Sequence, residues 1–260
     1  WAPWLFTGVI LLLIYFALDT YHYKKEHWTA LSADHREHTP LKVQGKVNFI
    51  YLIGVVLTVA LINASTIPQM GLESAPLWIK YLRGIVLVSL TLLSLYSTPK
   101  KIRFTMNKFT WDPIIEVAVL FLGIFTTMTP ALAYLTDHAA SLGLNKVWQF
   151  YYTSGALSSF LDNTPTAVAF HSVASGLTPD RMATFGNGMM AGIPEILLMA
   201  ICVGSVFFGA MTYIGNGPNF MVKAIAEENG VKMPSFFGYM FKFSLIVLLP
   251  IYILVQIIFL

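Results

Sequence analysis

The sequence predicts an all-α, polytopic membrane protein, and three observations carry that prediction. Of 260 residues, 56% are hydrophobic and only 11% charged, far below the roughly 25% charged of soluble domains. Several apolar runs approach or exceed the ~20 residues that a helix needs to cross a bilayer. Two of these runs are interrupted by compact polar stretches, Ser158-Ser159-Phe160-Leu161-Asp162-Asn163-Thr164-Pro165-Thr166 and Tyr213-Ile214-Gly215-Asn216-Gly217-Pro218-Asn219. An ionisable group at membrane depth usually lines an ion or substrate path. Two broken, polar segments facing each other near the midplane are what a secondary transporter uses as its binding site. The net charge of +3 decides little, because only the placement of positive charge among loops is informative. The single cysteine, Cys202, excludes an internal disulfide framework and a cysteine-based zinc site.

The first span is expected over residues 4–21, with Trp residues and Tyr21 and Tyr23 as interfacial anchors and Asp19 near its solvated end. No basic region precedes Val9–Leu18, so nothing marks a signal peptide, and a further N-terminal portion is expected before Trp1. A polar loop follows, with Lys24, Lys25, Arg36, Lys42 and Lys46 and the histidines His22, His27, His35 and His38. The last two have the i, i+3 spacing of a shared helix face. Without a Cys or HExxH context, a wet juxtamembrane helix is preferred to a metal site. Further spans are expected over 48–65, 80–97, 113–135 and 236–259. Asp112 and Pro113 form the helix start of the 113–135 span, and Glu116 lies in its first turn, where the helix dipole favours a carboxylate.

The arms of the 147–176 segment are each nearer ten to twelve residues, the length of a re-entrant element, with Pro165 supplying the break. Its polar tip must be buried in protein or face water, since lipid cannot satisfy open backbone. His171 on the returning arm reads as a hydrogen-bonded core histidine ahead of a proton relay. A broken helix is expected over 187–227. Pro218 has no amide hydrogen, and Gly215 and Gly217 permit unusual dihedrals, so helical hydrogen bonds fail locally. The freed carbonyls can bind a cation, while the next half-helix presents its positive N-terminus to an anion. Glu195, after Pro194, is expected near a membrane surface. Twelve of the sixteen Lys and Arg fall on one side of this topology, which makes that side cytoplasmic and puts the C-terminus outside. The location expected is the inner cell membrane.

The stretches SSFLDNTPT, EVAVLFLGIF and GAMTYIGNGPNFMVKAIAE resemble the ion transporter superfamily, in its citrate-transporter/sodium–proton antiporter branch related to NhaD-type antiporters. The similarity covers nearly the whole chain and corresponds to the C-terminal half of such proteins. It implies two inverted repeats, each with a re-entrant hairpin and a broken helix, assembled as a homodimer. One copy of each motif is present, so the resemblance implies that the second copy belongs to a missing N-terminal half. Where related carboxylate transporters read Ser-Asn-Thr at the hairpin tip, Asp162-Asn163-Thr164 stands here; Gly215-Asn216-Gly217-Pro218-Asn219 matches a Gly-Thr-Pro-Pro-Asn type of break with substitutions.

The carboxylate at the tip directs the functional expectation. A carboxylate binds Na⁺ when ionised and is neutralised by H⁺, so one residue can make the two ions compete. The first expectation is therefore Na⁺/H⁺ antiport with Asp162 as the shared site. Ser158, four residues earlier, is expected on the same helix face. Asn163, Thr164, Asn216, Asn219 and the carbonyls of Gly215 and Gly217 would complete an oxygen shell, with Na⁺ held by Asp162, Asn163 and Ser158. The alternative is a cation-coupled transporter of citrate or another carboxylate, although no Arg or Lys lies beside either break. A remote alternative, an intramembrane hydrolase, would need Ser158 and His171 as a nucleophile–base pair. No cofactor beyond the transported Na⁺ and H⁺ is expected. The expected partners are the lipid bilayer and small ions, with no nucleic acid.

Overall fold

The computed structural model describes residues 1–26, 43–63, 66–72, 74–106, 110–228 and 230–260. His27, His35 and His38 of the polar loop lie outside the described residues. The chain forms two compact units, one of Trp1–Glu26 with Ala118–Leu260 and one of His27–Val117. Helix α1 (Ala2–Tyr23) belongs to the first; α2 (Val47–Leu61) and α3 (Leu82–Ser97) belong to the second. Helix α4 (Asp112–Asp137) leads back into the first unit, which continues with α5 (Val147–Ser158), α6 (Asn163–Ser175), α7 (Glu195–Phe208), α8 (Gly217–Glu228) and α9 (Phe236–Phe259). The middle of α9, Met240–Leu248, is wound as a π-helix.

Among the described residues, α1 at 22 residues and α9 at 24 are long and apolar enough to cross a membrane. Their outer surfaces stay open: Leu12 is 68% exposed, Phe16 69% and Ile246 66%. Contiguous apolar surface of this kind marks a face made for lipid or another protein. The chain is a helical membrane protein.

In the second unit, α2 and α3 pack side by side. Asn48 Oδ1 accepts from the hydroxyls of Ser94 (2.9 Å) and Thr98 (3.0 Å), which ties the start of α2 to the end of α3.

In the first unit, α7 is the central element, and both α5 and α6 lie against it. Between helices in lipid there is little hydrophobic driving force, so close van der Waals packing through small residues takes over. Gly155 and Gly204 supply it. A Cβ on Gly155 would meet the Phe208 ring at 2.6–2.9 Å, and one on Gly204 would meet Tyr151 O at 2.5 Å and Ser154 Oγ at 2.6 Å. Around this contact Phe150, Tyr151, Leu197, Ile201, Tyr252 and Val255 are buried. Tyr151 stands edge-on to Phe208 with centroids 5.4 Å apart. Its hydroxyl donates to Tyr252 O (3.1 Å), and the Tyr252 hydroxyl donates to Phe207 O (2.6 Å). The two tyrosines thereby fasten α9 to the α5–α7 pair without leaving a buried hydroxyl unpaired.

Two local expectations are corrected. Residues 187–194 do not begin the broken helix. Met189–Met190 and Ile193–Pro194 pair as a small antiparallel hairpin, and α7 starts only at Glu195. Its two-residue turn has positive φ at both Ala191 (53°) and Gly192 (81°), the geometry that reverses a chain most tightly. Secondly, Ser158 and Asp162 do not share a helix face, because α5 ends at Ser158 and Asp162 precedes α6.

The Gly204 contact leaves no room for a side chain against backbone. Gly204→Ala should therefore destabilise the protein by about 1–3 kcal/mol, read as a lower melting temperature of detergent-purified protein. Gly84→Ala in α3, whose Cβ would meet nothing within 4 Å among the described residues, should leave it unchanged or slightly raised.

Candidate functional site

The α5–α6 turn is written by local chemistry. A proline ring clashes with the carbonyl four residues earlier, so Pro165 forbids a helix running on through Leu161. The chain leaves α5 at Ser159, whose amide still donates to Gly155 O (2.9 Å), and becomes extended at Asp162 (φ −63°, ψ 149°). Asp162 then caps α6. Its carboxylate accepts from the Asn163 amide (2.7 Å), and its carbonyl accepts from the Thr166 hydroxyl (3.0 Å). Pro165 sits within the first turn of α6, where a missing N–H is harmless.

The second break has the same logic. Helix α7 tightens into a 3-10 turn at Gly209–Met211, Thr212 is extended (φ −135°, ψ 167°), and α8 starts at Gly217 with Pro218 second. The open carbonyls are gathered by one side chain, since Asn219 Nδ2 donates to both Gly209 O (2.9 Å) and Thr212 O (3.0 Å). Asn216 O accepts from the Asn219 amide (3.1 Å), closing the first turn of α8.

The two breaks meet. The Thr212 hydroxyl donates to Ser159 O and accepts from the Gly215 amide (3.0 Å). Ser159 Oγ lies 3.1 Å from both Gly155 O and Phe208 O. Ser158 Oγ donates to Ser205 O (2.5 Å). With its amide nitrogen turned inward, Asn163 donates to Ser158 Oγ (2.9 Å), Ser205 O (2.9 Å) and Gly215 O (3.2 Å). Gly215 has to be glycine here, because a Cβ would stand 2.7–2.8 Å from the carbonyl oxygens of Gly209, Ser158 and Ser159. Ser158 and Ser205 are fully buried, and Thr212 nearly so. Ser205 Oγ has no hydrogen-bond partner among the described residues.

Of the residues expected at the site, Ser158, Asn163, Gly215 and Asn219 are brought together. Asp162 is half-buried at the rim, its carboxylate engaged with the Asn163 amide. Thr164 and Gly217 are exposed, and Asn216 is half-buried. Ser159, Ser205, Gly209 and Thr212 join the cluster without having been singled out. Ser205 carried no sequence signal, being a lone hydroxyl in an apolar helix. Ser158 and His171 do not form a pair: His171 Nε2 donates to Ala191 O (3.0 Å), and among the described residues no hydrogen bond links it to Ser158. Among the described residues no three His, Cys, Asp or Glu side chains group as a metal site.

Chemically, the cluster is a cage of carbonyl and hydroxyl oxygens at the C-terminal, electronegative ends of α5 and α7. Such hard oxygen donors suit an alkali or alkaline-earth cation. The starts of α6 and α8 lie at the same cage and supply the opposite polarity. Asn219 holds the second break closed. Asn219→Leu, which keeps the bulk but strands two carbonyls, should lower stability by about 1–3 kcal/mol per stranded group, read as a reduced melting temperature.

A family model described as "Putative citrate transport" matches residues 1–260. No curated protein and no solved structure was found to match the chain. The match runs the full sequence, and the long apolar helices agree with a membrane transporter; the chain belongs to this citrate-transport family.

Proposed function

We propose that this transporter is a secondary one that exchanges Na⁺ for H⁺, with Asp162 as the residue that takes either ion. The observation that carries the reading is a half-buried carboxylate one residue from Asn163, at the rim of an oxygen cage built by two helix breaks. Asn163 gives the cage two states. With Nδ2 inward it donates to the carbonyls of Ser205 and Gly215, the first of which also accepts from the Ser158 hydroxyl; with Oδ1 inward it adds one more oxygen for a cation. Asp162 supplies the charge that neutral ligands lack, and protonation removes that charge. Ser158, Asn163 and the Gly215 carbonyl are the neutral ligands of the proposed Na⁺ site.

A second reading, coupled transport of citrate or another carboxylate, is supported by the family description and by the two helix N-termini beginning at the cage, which favour an anion. Assembly as a homodimer in the inner membrane, with the C-terminus outside, belongs to the same proposal.

The readings separate in proteoliposomes of the full-length protein. Asp162→Asn keeps shape and hydrogen bonding but removes the exchangeable charge, so a Na⁺ gradient should no longer drive proton movement seen by an internal pH dye. Ser158→Ala should keep exchange but weaken apparent Na⁺ affinity about five- to tenfold, the loss of one neutral ligand. Undiminished Na⁺-driven proton flux in Asp162→Asn would sink the antiport reading, and Asp162-independent uptake of labelled citrate would favour the second. For orientation, a cysteine at position 101 in a Cys202→Ser background should label only from the cytoplasmic side, and one at position 180 only from outside.

A further inference from the structure

Where the chain leaves α3, residues 98–111 carry Lys100, Lys101, Arg103 and Lys108 and no acidic residue. Within the second unit, Tyr96, Thr98, Lys100, Arg103, Phe104 and Trp111 are among the residues lining a cleft of about 540 Å³. Thr98 is held in place by Asn48 (3.0 Å), which braces the cleft against the start of α2. Arg103 is half-buried, its guanidinium carbon 5.1 Å from the centre of the Phe104 ring. Its Nε is buried with no hydrogen-bond partner, and no ion pair to it occurs, among the described residues. A buried donor left unmatched costs about 1–3 kcal/mol, and more when it is charged. The forked geometry of a guanidinium matches a phosphate oxyanion with two parallel hydrogen bonds.

The walls specify what the phosphate is attached to. Leu92 and Leu95 add an apolar side to the cleft. Tyr96 is largely exposed and Trp111 about half exposed, and such rings settle at the headgroup level of a bilayer. A basic cluster directly beyond the apolar helix α3, beside apolar and aromatic side chains, fits an anionic lipid better than a soluble ion. We propose that this cleft binds the phosphate of an anionic glycerophospholipid. Arg103 and Lys100 hold the phosphate, Trp111 and Tyr96 flank the glycerol, and the chains lie along the apolar side. The lipid would then tie this segment to one leaflet, independently of the ion cage.

The test uses the full-length protein in neutral detergent and follows its melting temperature. Dioctanoyl phosphatidylglycerol should raise the melting temperature. Dioctanoyl phosphatidylcholine, inorganic phosphate and glycerol 3-phosphate at matched ionic strength should not. Lys100→Gln with Arg103→Gln should weaken the apparent phosphatidylglycerol affinity at least about tenfold, while Lys223→Gln should retain it. Should the double variant fail to fold, Arg103→Lys, which keeps the charge but loses the fork, should still weaken binding. An equal shift with phosphatidylcholine, an equal shift with either soluble phosphate, or full phosphatidylglycerol binding in Arg103→Lys and the double variant would each overturn the proposal.

Discussion

Inside a bilayer no water is available to satisfy a broken helix, and the structure depends on how two broken helices satisfy each other. Each break frees several carbonyls, any of which would cost several kcal/mol if left facing lipid. Here the partners are reciprocal. Thr212 reaches from one break to the Ser159 carbonyl of the other, Asn163 reaches back to Ser205 and Gly215, and Asn219 gathers the carbonyls of Gly209 and Thr212. Neither break would be tolerable alone at membrane depth. Together they form a polar interior closed off from the apolar faces around it.

That reciprocity requires α5 and α7 to approach closely and in one register. Gly155 and Gly204 permit the approach, and Phe208 links packing to site: its ring closes over Gly155 while its carbonyl faces Ser159 Oγ. The helix contact and the carbonyls of the cage are therefore joined through one residue. The tyrosine pair Tyr151 and Tyr252 adds α9 to this rigid body. Well-packed surroundings of this kind hold the side chains of the cluster in place.

The cage itself is neutral, and the Asp162 carboxylate sits at its rim as a helix cap. On the proposed reading, the carbonyls and hydroxyls would set the size and hardness of what binds, while Asp162 would set whether the site carries charge. No Lys or Arg lies within either polar stretch, 158–166 or 213–219, so the field there is shaped by helix termini rather than by side-chain cations.

The sequence by itself determined the membrane class and the existence of both breaks, because proline, glycine and hydropathy act locally and need no partner to be read. Pro165 and Pro218 each mark a break from within the first turn of the helix that follows. Only the tertiary structure decided which polar atoms converge. Ser158 and Asp162 looked like neighbours on one helix face, but the helix ends between them, so the hydroxyl turns into the cage and the carboxylate stays behind as a cap. Ser205 and Thr212 entered the site from 47 and 53 residues beyond Ser158 and Ser159, the residues they face. Their positions depend on how α7 is rotated against α5, and that rotation is set by two glycines and a phenylalanine ring packing at distances that no local pattern encodes.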